Sequence, residues 1–334
     1  MSLHRLAGST VLVTGAGGLI GSRVTARLRE LGARPISVCK LDAYPPEVYR
    51  RRVGIDPDDP DFVVGDIAEP SLVRHAMRGC DYVIHAAACT RAPVAAIDAN
   101  VSGTQHVLDA AARSGSVRRL VFVSSASVYG NGTSGPAPTR FTEDAAVHPV
   151  SVYGTSKVWG EYQTAAVLGA ADVSYAVVRY FSVYGEPQVV KEGSHSWVVA
   201  WFAMRAALGL PLHLNGGGAQ IRDFVHVDDI ATGTLHALAA PGAHRQTVNI
   251  GTGVATTIRQ VAELVARYHS GCDLVETPMP PGDPEGGYAS LTHMIKTLGW
   301  RPGITAPEGV ARYVRWLTRT PDAIPAWLRH EAAA

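Results

Sequence analysis

Tyr153 and Lys157 lie four residues apart in Val152-Tyr-Gly-Thr-Ser-Lys157, a spacing that puts phenol and ammonium on one face of a helix. A phenol with an unperturbed pKa of about 10 is a poor acid or base at neutral pH. A neighbouring ammonium favours the phenolate, so the pair is expected to lower the Tyr153 pKa and make it an acid–base group. Tyr-x-x-x-Lys alone is a common accident on amphipathic helices, and its meaning depends on its surroundings. Upstream, Val123-Ser124-Ser125-Ala126-Ser127-Val128-Tyr129-Gly130 ends an apolar run in hydroxyls. Ser125 and Ser127 could donate there to a substrate carbonyl or alkoxide while Tyr153 exchanges the proton. A serine-rich strand cap is the plainer alternative.

The segment Val11-Leu-Val-Thr-Gly15-Ala-Gly-Gly18-Leu19-Ile20-Gly21 reads as a strand, a glycine turn and a helix start. Gly15 permits the tight turn, Gly18 lets backbone approach a pyrophosphate, and Gly21 allows close helix–strand packing. The helix N-terminus that follows supplies N–H donors and positive dipole, which makes Leu19 and Ile20 cofactor-binding candidates with the glycines. This pattern points to a dinucleotide, whose oxidised nicotinamide is a second cation favouring phenolate at Tyr153, and whose ribose Lys157 could hold. Hydride transfer at a secondary alcohol or ketone is the chemistry these residues fit. Which dinucleotide is expected depends on the end of the second strand, where an NAD site usually carries an acid and an NADP site a neutral residue with cations. The chain reads Cys39-Lys40-Leu41-Asp42, which favours NADP with Lys40 on the 2′-phosphate; NAD is the alternative, with Asp42 as the acid. Asp66, in Asp66-Ile67 after the third strand, is placed for the adenine or for a loop cap.

Such groups need a rigid frame. The strand candidates 10–14, 35–39, 61–64, 81–85 and 119–124 are nearly all apolar, as parallel strands covered on both faces are. They alternate with helical stretches, among them 22–31, 101–112 and 152–168, and strands 174–179 and 247–250 extend the series. The fold class expected is α/β, a doubly wound parallel (Rossmann) sheet. Beyond residue 183, glycine and proline clusters at 185–187, 216–218 and 278–287 mark a smaller α/β lobe. The division expected is a dinucleotide domain over 1–182, completed by 225–252, and a substrate-binding lobe over 183–224 and 253–334, with the site in the cleft between.

Composition narrows the function classes. The 334 residues are 46% hydrophobic, with 30 Lys+Arg against 29 Asp+Glu, which excludes extended disorder and leaves no basic field for nucleic acid. Cys39, Cys80, Cys89 and Cys272 form no Cys-x-x-Cys pair, and the 13 histidines form no ligand cluster. Asp228 and Asp229 lack a third ligand nearby and read as caps of a helix starting at Ile230, so no metal is expected. With no apolar run of membrane length and no leader pattern, the expectation is a cytoplasmic protein.

The ordered motifs make the chain resemble the extended short-chain dehydrogenase/reductases, especially the nucleotide-sugar epimerase, dehydratase and ketoreductase group. The resemblance spans nearly the whole chain. It rests on Thr14-Gly15-x-x-Gly18-x-x-Gly21, Asp66-Ile67, His85-Ala86-Ala87, Asn100-Val-x-Gly103-Thr104, the Ser125 and Tyr153/Lys157 segments, Arg179-Tyr-Phe-Ser-Val-Tyr-Gly185, Arg222-Asp-Phe-Val-His-Val-Asp-Asp229 and Asn249-Ile-Gly-Thr252. It implies that Ser125, Tyr153 and Lys157 form the catalytic triad and that Asn100 supports the architecture around them. It implies too that Ile67, Ala86, Ala87, Ser124, Tyr180 and Val183 line the cofactor, and that Ser127, Ser182, His195 and Arg222 face the substrate. A guanidinium fork at Arg222 suits a substrate diphosphate; an Arg222–Asp223 pair is the structural alternative.

Several positions depart from the family pattern. Members that eliminate water carry Asp-Glu directly after the catalytic hydroxyl, where this chain has Ala126 and Ser127, which argues against a 4,6-dehydratase; decarboxylating members tend to place Glu at Ser127. Ser182 stands for an asparagine and Pro280 for an arginine that approach the diphosphate in many members, leaving Arg205 or Lys191 to compensate. Trp197 and Trp201, one helical turn apart, are expected in the lobe core rather than against a base. The leading expectation is NADP(H)-dependent reduction of a keto group, at C4, on a nucleotide-linked deoxysugar. The alternative is an NAD-dependent 4-epimerase using the same residues; a non-catalytic dinucleotide sensor is a third, against which retention of all three catalytic groups argues. Helices 101–112 and 152–168 match the pair through which members form homodimers, with small residues Ala110, Ala111, Ala112, Ala165 and Ala166.

Overall fold

The computed structural model describes residues 3–41, 54–90, 96–192, 197–280 and 283–333. Its strands are β1 (Thr10–Thr14), β2 (Arg34–Cys39), β3 (Phe62–Val64), β4 (Tyr82–His85), β5 (Arg119–Ser125), β6 (Arg140–Phe141), β7 (Ser174–Tyr180) and β8 (Ser182–Tyr184). They continue with β9 (Leu212–Asn215), β10 (Ile221–Arg222), β11 (Phe224–His226), β12 (Gln246–Ile250), β13 (Thr256–Thr257), β14 (Leu274–Thr277) and β15 (Tyr288–Ala289). Seven of them form one sheet in the order β12-β7-β5-β4-β1-β2-β3, every pairing parallel. The direction of winding reverses between β1 and β4, which opens a crevice at their carboxyl ends, the place where such sheets bind ligands.

The helices are α1 (Leu19–Glu30), α2 (Pro70–Ala76), α3 (Thr104–Arg113), α4 (Val152–Ala170), α5 (Val198–Ala207), α6 (Val227–Ala239), α7 (Ile258–Ala266), α8 (Thr292–Leu298), α9 (Ala306–Arg319) and α10 (Ala326–Ala333). Successive strand residues point to opposite faces, and both faces are covered. Val11, Val13, Ile84, Val121 and Val178 pack against α1, α6 and α8. Leu12, Val38, Val83, Leu120 and Phe122 pack against α2, α3 and α4. This double burial is why the strands read as unbroken apolar runs. A separate core joins α5, α7 and α9 with Leu212, Leu214 and Phe224; it builds the lobe beyond β8. Among the described residues no helix is long and apolar enough to cross a membrane.

The strand bounds of the main sheet agree with the sequence expectation to within one residue at each end, but three helix starts do not. α1 opens at Leu19, with Gly18 as N-cap, because a glycine can enter the helix without a capping side chain. α6 opens at Val227, with the His226 ring accepting from the Asp228 N–H, so Asp228 and Asp229 lie inside the first turn instead of capping a helix at Ile230. α3 is entered through a π-helical turn, Asp98–Gly103. Gly32 takes φ 75° just past α1, the left-handed conformation in which glycine ends a helix.

Candidate active site

The glycine turn is packed to its limit. Gly15 has φ 70°, and a Cβ there would lie 2.7 Å from the Ala87 nitrogen and 2.9 Å from the Ala86 carbonyl carbon. A Cβ on Gly21 would meet the Gly15 oxygen at 2.2 Å, so strand and helix can approach only because both are glycines. Gly18 caps α1 without a side-chain bond, and the N–H groups of Leu19, Ile20 and Gly21 open the helix with no acceptor within it. A side-chain-free cradle of N–H donors at the switch point of the sheet fits a dinucleotide pyrophosphate. Beneath the turn, His85 is buried between Thr14 Oγ1 at 2.7 Å and Thr104 Oγ1 at 2.9 Å; burial, then the charge of Lys157, pushes its pKa down to about 3.

At the ends of β2 and β3, Lys40 Nζ lies 2.6 Å from Asp66 Oδ2. Burial opposes the Asp66 carboxylate, but the Ala68 N–H and the Lys40 ammonium outweigh it and hold its pKa below the usual carboxylate value. The two residues that sequence assigned to phosphate and adenine are thus ion-paired with each other. Asp42 lies outside the described residues. Ile67 is buried against Gly103, so its side chain packs inward and does not open toward the crevice.

Ser151 caps α4 through its hydroxyl to the Gly154 N–H at 3.0 Å, which fixes the helix that carries Tyr153 and Lys157. Lys157 is 2% exposed, donates to the Val123 carbonyl at 2.8 Å, and sits 5.7 Å from the centre of the Tyr153 ring. Ser125 donates to Ser127 Oγ at 3.0 Å and accepts from the Ser127 N–H at 3.1 Å. Asn100, presented by the π turn, holds both backbone groups of Cys89, at 2.8 and 2.9 Å, and donates to Ser156 Oγ at 2.9 Å. One sequence expectation reverses here. Burial pushes the Tyr153 phenol up to about 12, outweighing its hydrogen bond with Ser125, and desolvation brings Lys157 down to about 8 against the pull of Glu161. Ser124 faces away from the cleft: its hydroxyl donates to Glu161 at 2.5 Å.

Ser125, Ser127, Ser151, Tyr180, Ser182 and Arg222 line one cavity of about 330 Å³. Ser182 and Arg222 also border a second, of about 230 Å³, with Val183 and Trp197. Arg222 donates to the Pro284 carbonyl at 3.0 Å and to its neighbour Ile221 at 2.8 Å. It is not paired with Asp223, whose buried carboxylate takes the N–H groups of Thr252, Gly253 and Ala289 at 2.6, 2.9 and 3.1 Å. Tyr180 closes its hydroxyl onto Thr234 at 2.6 Å.

Two assignments fail and one is out of reach. Arg205 is buried in the lobe, bonded to the Pro211 carbonyl at 2.8 Å and to Glu331 at 2.6 Å, so it cannot replace a missing phosphate grip. Asp228 does acquire partners for a cation site: Glu186, His226 and Asp228 bring ligand atoms within 4.8 Å of one another. Arg23 and Arg312 occupy those carboxylates instead, tying α1 and α9 to α6. His195 lies outside the described residues. Trp197 and Trp201 both pack against the lobe core as expected; Trp201 stacks on Trp327 with ring centres 6.1 Å apart, and Trp197 also borders the smaller cavity.

The NAD dependent epimerase/dehydratase family model matches residues 11–251. A dTDP-glucose 4,6-dehydratase of Streptomyces antibioticus is 33% identical over 92% of this chain and 91% of its own. Among solved structures, a UDP-glucose 4-epimerase of Thermotoga maritima with UDP-glucose superimposes at TM-score 0.83, 28% identical, over 93% of this chain and 99% of that one. A Thermus thermophilus UDP-glucose 4-epimerase in complex with NAD gives 0.79 at 29% identity, over 92% and 98%. The match runs from the glycine turn through both catalytic segments to β12, and it follows that this chain belongs to the NAD-dependent epimerase/dehydratase family and is an NAD(P)-dependent enzyme of the extended short-chain dehydrogenase/reductases.

Proposed function

We propose that the chain is a nucleotide-sugar 4-epimerase working with NAD. The observation that carries this reading is the meeting of Ser125, Ser127 and Arg222 in one cavity beside the Tyr153–Lys157 helix, with no acid at 126 or 127. Residues 1–182 and 225–252 hold the dinucleotide; 183–224 and 253–334 hold the sugar nucleotide. Bound NAD supplies a place to put the C4 hydride and from which to recover it. Tyr153 takes the C4 hydroxyl proton as the carbon is oxidised and returns it when the opposite face is reduced. Ser125, held by Ser127, donates to the oxygen on which charge develops. Arg222 grips the diphosphate, with Ser182 beside it, so that the sugar can turn while the nucleotide stays. Elimination of water needs a further acid and base, which Ala126 cannot provide.

NAD is favoured because Lys40 already has an anion in Asp66 and because the family, like its Thermus thermophilus member, works with NAD. NADP(H)-dependent ketoreduction of a keto-deoxysugar is the second reading, supported by the neutral Cys39 and by a Lys40 that remains half exposed. Four free thiols suit the reducing cytoplasm. We propose a homodimer through α4, where Val152, Trp159 and Tyr162 stand 44%, 55% and 68% exposed. The small residues named from sequence do not all serve: Ala110 and Ala111 of α3 are turned into the core against the sheet.

The test is to denature the protein, identify any released dinucleotide by mass, and incubate the native protein with UDP- and dTDP-hexoses. Stoichiometric NAD⁺ and a 4-epimer support the epimerase. An empty site preferring NADPH at least tenfold, about 1.4 kcal/mol, with a keto-sugar reduced and no epimer formed, overturns it in favour of the reductase.

A further inference from the structure

Glu161 belongs to none of the motifs above, yet it sits at the centre of the buried bonds that join the two catalytic segments. It lies on α4 one helical turn past Lys157. Its Oε1 accepts from Ser124 Oγ at 2.5 Å and from Arg179 Nε at 2.9 Å, and its Oε2 accepts from Arg179 Nη2 at 2.6 Å. The side chains of the pair are only 11% and 7% exposed. Arg179 continues to the Tyr129 hydroxyl at 2.9 Å and to the Glu143 carbonyl at 3.1 Å, and Tyr129 donates to Asn249 at 2.7 Å. The end of β5 is therefore fastened to α4 at consecutive residues, Val123 by Lys157 and Ser124 by Glu161, immediately before Ser125.

The tie also carries charge. From α4, Tyr153 and Glu161 face Lys157; from β5, the Phe122 ring stands 5.1 Å away beside the Val123 carbonyl; from β4 comes His85, neutral at physiological pH. Glu161 is the anion whose field acts on Lys157, and it opposes the desolvation that favours the neutral amine. A buried ion pair is a poor source of stability compared with apolar packing, so a merely structural tie here has no need of a carboxylate.

Resting on the catalytic reading of Tyr153 and Lys157, we propose that Glu161 is a positioning residue for that pair: its carboxylate locks the Ser125 strand end to α4 through Ser124 and sets a buried anion one helical turn from Lys157. The chain has four lysines, Lys40, Lys157, Lys191 and Lys296, so ¹³C-lysine labelling gives a spectrum in which Lys157 can be titrated without any turnover. In E161Q its midpoint is expected to fall by about one pH unit or more while the other three hold. An unmoved midpoint overturns the proposal. Because E161Q leaves the buried Arg179 cation without its anion, the neutral pair E161Q/R179M is titrated as well. Its Lys157 midpoint should also lie below that of the wild type, and an unmoved one again overturns the proposal. E161D, which keeps the charge, should restore the midpoint, and the Lys157 limb of the kcat/KM profile should follow it across the series. A wild-type protein that turns over no nucleotide sugar overturns the reading of the site, whereas turnover abolished by Y153F with Lys157 unmoved in E161Q overturns the role of Glu161 alone.

Discussion

In the proposed reaction Tyr153 exchanges the proton, and burial holds its phenol protonated. The phenol, raised to about 12 by burial, becomes a base only when a second cation and a substrate oxygen share its site. Tyr153→Phe should therefore lower kcat by about 10²–10⁴-fold and leave dinucleotide affinity, read by calorimetry, within a few-fold of wild type. Tyr153, Lys157 and Ser125 could be named as candidates because the proposed chemistry calls for those residue types at those spacings. Glu161 was visible only as one more acid on a helix; its partner Arg179 comes from another strand, and long-range burial leaves no local signal. Arg205 misled for the converse reason, since a guanidinium in an apolar helix can as well tie down a distant carboxylate as wait for a phosphate.

The elements most legible in sequence are the parallel strands, because burial on both faces writes them as apolar runs. Helix entries were less so: Gly18 and His226 serve as N-caps at α1 and α6, and the π turn that presents Asn100 follows no simple period. One histidine joins these elements, His85 of β4, wedged between β1 and α3. Its folded pKa of about 3 lies below the value of about 6.5 expected when unfolded. Between those values the unfolded chain binds the extra proton, so the stability His85 contributes is complete above about pH 6.5 and is lost progressively on acidification. The slope is about 1.4 kcal/mol per pH unit. Urea midpoints at pH 7.5 and pH 5 should show the loss, and His85→Gln should reduce the pH slope; an equal slope in both proteins would refute it.

For the whole molecule, the exposed stripe of Val152, Thr155, Trp159, Tyr162 and Ala166 on α4 recurs at helical spacing and is too apolar for open solvent. W159E/Y162E should shift sedimentation from dimer to monomer; a double variant that sediments as the wild type does would rule out this face. The change in texture after residue 183 suggested a division into two parts, but it said nothing of how the chain passes between the sheet and the second apolar core. Strand β8, at the exit from the sheet, pairs with β11 on the far side of a long excursion through the lobe.

That excursion governs how the protein can be made. Gln246 returns to pair with Ala176, so the edge of β7 has no neighbour until most of the chain has left the ribosome. Such a high contact order predicts slow folding and a nascent intermediate with an open, sticky strand. Chaperone demand and yield at elevated temperature should accordingly follow the delay between synthesis of β7 and β12 more closely than the stability of the finished enzyme.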